Sequence, residues 1–550
     1  MRNGWQAKLW LWGLGLVALG SLLEASVCLA EPNGTRPNFL VILADDLGFS
    51  DLGCFGGEIA TPEIDRLAEG GVRFTQFYNC GRCCPTRASL LTGLYPHQAG
   101  VGHMLGDWGH PGYRNGLAPD CATIAEVLSL AGYRNYHVGK WHTGGFAPGQ
   151  EQNHPLARGF DRFYGTAGGG DYFAPEQLMR DRETIEPQGD YYITDDFTAA
   201  AVGFLRDHQR QRSEQPFFLH LCYTAPHFPV QARAADINAY RGKYRDGWDV
   251  LRQRRYDRLL ALKIVYPLWR LSARDPIATP WDDTPDHAEG DLRMAAHAAS
   301  VTAMDRGVGQ VLNELKQSGQ FDNTLVLFLS DNGASAEFLD NGPGKRRGHN
   351  PGAETGSPGS HRCLEVGWAN ACNTPFREHK MWMHEGGIST PLVAHWPRGI
   401  ENPNRNAADV GHVMDLMPTL LELAGVSYPR ELSGRHLQPL AGRSFAAVLR
   451  GETLPQDRTL GFEHEGNRAL RRGDMKVVAT YQGAWELYDL DRDRTETHDL
   501  AETQRDQVQE LVSLWEAWAR EVGVVAWEKL PGARYQPTPQ YRKKSEPVAP

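Results

Sequence analysis

Four short apolar runs, at 39–44, 217–223, 325–329 and 391–395, carry almost no alternation of polar and apolar residues. Strands of that kind belong in a parallel sheet whose two faces are both covered. Helix-like segments lie between them. The clearest places Val301, Met304, Val308, Val311, Leu312 and Leu315 in one apolar stripe just before the run at 325–329. Further helices are expected near 63–70, 123–131 and 194–208, and Pro418 suits the first turn of a helix through Leu423. The pattern predicts an α/β fold: a large, mostly parallel sheet covered by helices on both faces. From about Arg458 the texture changes to short segments at 474–480 and 485–490, then an amphipathic stretch at 506–522. These predict a smaller C-terminal domain of antiparallel sheet plus helix. The stretch 240–291 reads as an insertion with no assigned element, and the Pro- and Lys-rich end after Leu530 as a loosely attached tail.

The 550 residues include 57 Lys+Arg and 67 Asp+Glu, a formal charge of −10, which argues against a nucleic-acid partner. Nine cysteines are too few and too unevenly spaced for a disulfide scaffold, and they form no paired zinc pattern. Arg2 and Lys8 precede an apolar run at 9–23 and a small-residue stretch ending at Ala30, the pattern of an export leader. That run is shorter than the roughly 20 residues needed to span a bilayer. The reading is cleavage and export to a periplasm or the medium, with no stable membrane insertion afterwards. Val27 makes a poor lipobox before Cys28, and Cys363 and Cys372 are candidates for a disulfide in an oxidising compartment.

Acidic residues sit where two of the runs end: Asp45-Asp46 after the first, and Asp331-Asn332-Gly333 after 325–329. In an open parallel sheet, ligands bind beyond the carboxyl ends of the strands. Three carboxylates and one amide oxygen converging there make an all-oxygen site for a hard cation, Ca²⁺ or Mg²⁺. A single acidic pair more commonly caps a helix or opens a turn. Two pairs in the same context favour the metal.

The sequence Cys83-Cys84-Pro85-Thr86-Arg87, followed by Ala88-Ser89-Leu90-Leu91-Thr92-Gly93, resembles the signature of type I sulfatases in the alkaline phosphatase-like superfamily. Register identifies Cys83 as the motif cysteine, since Pro and Arg follow it by two and four residues. Arg82 and Cys84 depart from the usual neighbours without touching the motif positions. Gly139-Lys140-Trp141-His142, Ala225-Pro226-His227, and the segment from Asn373 through Lys380 to Gly387 match further family segments in family order. Trp485-Glu486-Leu487-Tyr488-Asp489-Leu490 resembles the family's small second domain. The implied organisation is a leader at 1–30, a catalytic domain at 31–455, a small C-terminal domain at 456–530 and a tail at 531–550.

The resemblance implies that a formylglycine-generating enzyme converts Cys83 to formylglycine and that Asp45, Asp46, Asp331 and Asn332, with modified Cys83, hold Ca²⁺. Arg87 would brace the hydrate and the metal ligands, and Lys140 and Lys380 would neutralise sulfate oxygens. Asp331 would help deprotonate the attacking hydroxyl. His227 would protonate the leaving oxygen, and His142 would take a proton when sulfate is expelled. The expected substrate is a sulfated small molecule or carbohydrate. The loops at 106–112 and 168–173 are candidates for shaping the pocket or for packing as satellite core. The segment 461–468, with Lys476 on the next strand, resembles bacterial arylsulfatases and puts His464 at the cleft rim. A phosphate or phosphonate monoester hydrolase of the same superfamily, and an inactive calcium-dependent carbohydrate-binding protein, stand as alternatives.

Overall fold

The computed structural model describes residues 36–340 and 349–531. The expected leader with Cys28, and all but the first residue of the expected tail, lie outside the described residues.

The main sheet contains β1 (Asn38–Asp45), β2 (Val72–Tyr78), β3 (Arg134–Lys140), β4 (Arg162–Thr166), β5 (Met179–Arg180), β6 (Glu183–Thr184), β7 (Phe217–Pro226), β8 (Thr324–Ser330), β9 (Ser389–His395), β10 (Arg405–Ala407) and β11 (Gly411–His412). The order across it is β10-β2-β9-β8-β1-β7-β3-β4-β5-β6, with β11 also paired to β2. Strands β8, β1, β7, β3 and β4 are mutually parallel, whereas β9 runs antiparallel to both β8 and β2.

The unbroken apolar character of β1 follows from its central place. Phe39, Val41 and Leu43 enter one core, and Leu40, Ile42 and Ala44 enter the other. A polar residue at any of these positions would be buried without water. Helices Pro62–Glu69, Ile193–Arg212 and His287–Gln317 contribute to one core, and Ile124–Ser129 and Leu416–Ala424 to the other. The stripe from Val301 to Leu315 lies buried in the 31-residue helix His287–Gln317, which extends well upstream of the segment legible in sequence. Pro418 stands in the first turn of Leu416–Ala424.

The unassigned stretch 240–291 contains the helix Gly247–Ala261. It is anchored by Trp248, whose ring meets Trp281 edge-on at 4.8 Å, and by Arg255, whose Nη1 donates to Asp51 at 2.7 Å.

The C-terminal strands Thr459–His464, Asn467–Arg472, Met475–Ala479 and Glu486–Asp489 form an antiparallel sheet in that order. Helix Arg505–Val522 closes it, with Leu511 against Leu470, Val477 and Leu487. Buried ion pairs fasten this sheet to the main one: Lys476 Nζ and Arg494 Nε lie 2.8 and 2.9 Å from Glu385. Lys476 is therefore a structural cation.

The Cys363–Cys372 pairing is not formed. Both thiols are free and buried; Cys363 accepts from the Leu339 N–H, and Cys372 lies 3.8 Å from His297 Nε2. Cys372 ends the helix Val366–Cys372 and its carbonyl accepts from the Ser50 N–H in the turn after β1, so it is engaged with different partners from Cys363.

Candidate active site

The carboxyl ends of β1, β3, β7 and β8 meet at one place. Asp45 ends β1 and Asp46 follows it; Lys140 ends β3; His227 follows β7; Asp331 and Asn332 follow β8. Gly139 holds φ at +107°, where a Cβ would stand 1.8 Å from the Cys222 carbonyl oxygen, so only glycine lets β3 approach β7 just before Lys140. Asp46 and His142 adopt left-handed φ values of 67° and 55°. Strain of that kind in non-glycine residues concentrates at functional sites.

After β2 the chain enters helix Cys83–Thr92, every residue of which is buried. Cys83 opens the helix, where the N-terminal dipole favours an anion. Gly93 closes it in the left-handed conformation, its N–H donating to the Ser89 carbonyl, which accounts for the Thr-Gly pair. Arg87, one turn into the helix, donates from Nε and Nη2 to Asp331 Oδ2 and from Nη1 to the Lys140 carbonyl at 2.8 Å.

Lys140 Nζ lies 2.6 Å from Asp45 Oδ2. On the other side, Lys380 Nζ lies 2.9 Å from Asp46 Oδ2 and 3.1 Å from Glu337 Oε2. Asn332 Nδ2 donates to Asp46 Oδ1 at 2.6 Å, and His227 Nε2 stands 3.6 Å from Asp46 Oδ2. His142 and Cys84 surround the Cys83 sulfur, with potential ligand atoms within 4.8 Å of one another. All ten sequence-derived site residues are thus brought together.

Burial alone would raise the Asp45 carboxyl, but Lys140, His227 and Arg87 hold it below the usual carboxylate range. Hydrogen bonding with Cys84, opposed by burial and reinforced by Lys140 and His142, holds the Cys83 thiol well below its ordinary value. Burial pushes His142 down, which keeps the imidazole neutral.

These groups open into a cavity of about 210 Å³ lined by Arg82, Cys83, Met104, Lys140, His142, Gly169, Gly170, His227, Phe228, Glu337, Leu339 and Lys380. Five of them are cations or imidazoles. Phe228, Met104 and Leu339 add apolar surface, and Glu337 is the one carboxylate among these lining residues.

The sulfatase family profile matches residues 37–426, and the profile described as N-sulphoglucosamine sulphohydrolase, C-terminal, matches 377–517. The chain belongs to the sulfatase family. It is a hydrolase of sulfate esters. An uncharacterized sulfatase of Schizosaccharomyces pombe is 35% identical over 536 residues, covering 90% of this chain and 95% of the relative. An arylsulfatase of Klebsiella aerogenes is 33% identical over 440 residues, covering 75% and 92%. The crystal structure of Ps i-CgsB in complex with k-i-k-neocarrahexaose superposes with a TM-score of 0.65 at 27% identity, covering 88% of this chain and 93% of that one.

Two charged residues of this sulfatase's cavity escaped sequence reasoning. Glu337 accepts from Lys380 and from Arg82, whose Nη2 lies 3.1 Å away. Its only sequence signal is its position six residues past Asp331. Arg82, visible only as a departure from the motif, lines the cavity itself. Of the two candidate loops, 168–173 contributes Gly169 and Gly170 to the sulfatase cavity. The other, 106–112, borders a separate cavity of about 780 Å³ with Arg114 and Arg435, while Trp108 packs on Trp527. His464 does not reach the rim: it is fully buried, because the turn after Thr459–His464 folds back onto His103.

Proposed function

We propose that this sulfatase cleaves aryl and comparably small sulfate monoesters in the cavity floored by Cys83, with Cys83 converted to formylglycine. One observation carries the reading: Cys83 opens a buried helix inside a cavity whose charged lining includes Lys140, Lys380, His142 and His227. A volume of about 210 Å³ exceeds that of a sulfate group and leaves room for a small ring beside Phe228, Met104 and Leu339. Those apolar side chains favour a ring over a polar sugar, in keeping with the relative named arylsulfatase.

The residues fit a hard divalent cation. Asp45 Oδ1 and Asn332 Oδ1 are buried without a hydrogen-bond partner among the described residues, and burial together with the neighbouring Asp45 charge pushes Asp331 well above the ordinary carboxylate range. Such a centre is short of positive charge. Asp45, Asp46, Asp331 and Asn332 would hold Ca²⁺ or Mg²⁺, which when bound offsets charge on the sulfate and on the hydrate. The modified side chain supplies two hydroxyls on one carbon, so one can bond to sulfur and the other can later be deprotonated to free the sulfate.

The chain's own groups do the remaining work. Lys140 and Lys380 hold sulfate oxygens, and Arg87 fixes Asp331, whose carboxylate accepts the proton of the attacking hydroxyl. His227 donates Nδ1–H to the Phe228 carbonyl at 2.6 Å, which leaves Nε2 as the nitrogen that exchanges a proton with the leaving oxygen. His142, neutral and beside Cys83, accepts the proton of the second hydroxyl. The proposal includes export of the chain through residues 1–30.

Turnover of p-nitrophenyl sulfate against p-nitrophenyl phosphate and phosphonate esters tests the reaction class. The sulfate ester should be strongly preferred. Faster phosphate or phosphonate cleavage would assign the chain to those esters, and absence of all turnover by fully modified protein would leave a binding protein.

A further inference from the structure

A second cluster of metal-ligating groups lies where the C-terminal sheet meets the 97–108 segment. His103 Nδ1 stands 3.7 Å from Glu465 Oε1, and His464 Nε2 stands 3.6 Å from the same oxygen. Both separations are too long for hydrogen bonds. Potential ligand atoms of the three residues lie within 4.8 Å of one another. His103 Nδ1, both His464 nitrogens and Glu465 Oε2 are buried with no hydrogen-bond partner among the described residues. Relative exposures of 8%, 0% and 5% for His103, His464 and Glu465 leave little access to bulk water. Four orphaned polar atoms in one spot are costly unless something binds them.

The backbone gives independent support. His464-Glu465-Gly466-Asn467 is the tight turn joining two antiparallel strands, with φ of 53° at Glu465 and 78° at Gly466. Turns of this hand prefer Asn, Asp or Gly at their first central position, and their tips ordinarily face solvent. Here a longer carboxylate occupies the strained position and is turned inward. The rings of Trp108 and Trp527 lie 4.4 and 4.9 Å from His103, walling the cluster with aromatic surface.

We propose that His103, His464 and Glu465 form a second metal site, for a zinc-class cation, that clamps the C-terminal hairpin to the 97–108 segment. Two imidazoles and one carboxylate are a zinc-type donor set, unlike the all-oxygen set at Asp45 and Asp331. Tetrahedral zinc with bonds of about 2.0–2.1 Å holds its ligand atoms roughly 3.3 Å apart, a few tenths of an ångström less than the two His–Glu separations of 3.7 and 3.6 Å, and the two imidazoles, with ligand atoms within 4.8 Å, close by side-chain rotation. Glu465 supplies the negative charge, while nearby Arg82 is engaged by Glu337. Met104, which lines the catalytic cavity, adjoins His103, so the clamp also steadies that wall.

The test uses the full chain, stripped by a chelator and reloaded with Ca²⁺, then titrated with Co²⁺ and Zn²⁺. One Co²⁺ per chain should bind with the visible absorption of a low-coordinate nitrogen–oxygen site and be displaced by one Zn²⁺. Glu465→Gln and His464→Gln, checked for folding by circular dichroism, should each weaken Co²⁺ binding at least ~10-fold. Asp46→Asn, in the first site, should keep the band. Should either hairpin variant fail to fold, the unmutated chain still decides: Zn²⁺ raises its Tm if the site exists. Absence of both a stoichiometric Co²⁺ band and a Zn²⁺-dependent Tm rise overturns the proposal. So does a band retained in folded Glu465→Gln but lost in Asp46→Asn.

Discussion

Arg87 grips Asp331 through a single oxygen, with Nε at 3.0 Å and Nη2 at 2.7 Å from Oδ2, both side chains fully buried. The remaining Asp331 oxygen accepts from the Asp46 N–H at 3.2 Å. One guanidinium therefore fixes the acidic group after β8 and, through it, the start of the turn after β1. Arg87→Ala should destabilise the fold by about 3–5 kcal/mol, because it leaves a buried carboxylate without its counter-ion. Arg87→Lys keeps a charge but cannot make the forked contact, and should cost ~10²-fold in kcat through misplacement. Urea unfolding and steady-state kinetics read the two effects separately.

Glu337 should make the protein acid-sensitive. Burial would raise its carboxyl, but Lys380 and Arg82 hold it down at about 2 against an ordinary 4.5. A carboxylate depressed in the folded state contributes its full stability above the unfolded pKa and loses it as pH falls from about 4.5 toward 2. The contribution is of order 3 kcal/mol. In Glu337→Gln that segment of the stability–pH curve should flatten, measured by urea midpoints across the range.

The residues that gather at the carboxyl ends of the strands were legible because they lie in short spacings. Asp45-Asp46 follows an apolar run whose strand character is unambiguous, and the Cys83-Pro85-Arg87 pattern fits into little more than one helical turn. Contacts between residues far apart in sequence were not legible. Glu337 reaches Lys380 and Arg82 across 43 and 255 positions, so no local pattern exposes it. Strand β2, VRFTQFY, breaks its buried residues with the half-buried Arg73 and Gln76, a weaker signal than the continuous runs beside it. His464 was legible as a motif residue, but its burial depends on a turn folding onto a segment over 350 residues earlier, and Cys363 and Cys372 lie free against different partners that no local spacing reveals.

Calcium should stabilise the fold. At a hundredfold excess over its Kd, a ligand bound only by the native state adds about 2.7 kcal/mol. Chelation should remove that increment in the parent chain and have no effect in Asp45→Asn, with thermal unfolding as the readout independent of turnover.

His142→Ala should separate the two halves of the reaction. Rapid mixing with p-nitrophenyl sulfate should give a burst near one equivalent of phenol, followed by turnover slowed ~10²–10⁴-fold. A linear slow phase without a burst would move the proton transfer from His142 to another group.

The most direct test of the account is the mass of the tryptic peptide Cys83–Arg87, bounded by Arg82 and Ala88, from active protein purified from its native host. The account predicts an aldehyde in place of the Cys83 thiol, with the Cys84 thiol intact. An intact Cys83 thiol in protein that turns over sulfate esters would contradict it.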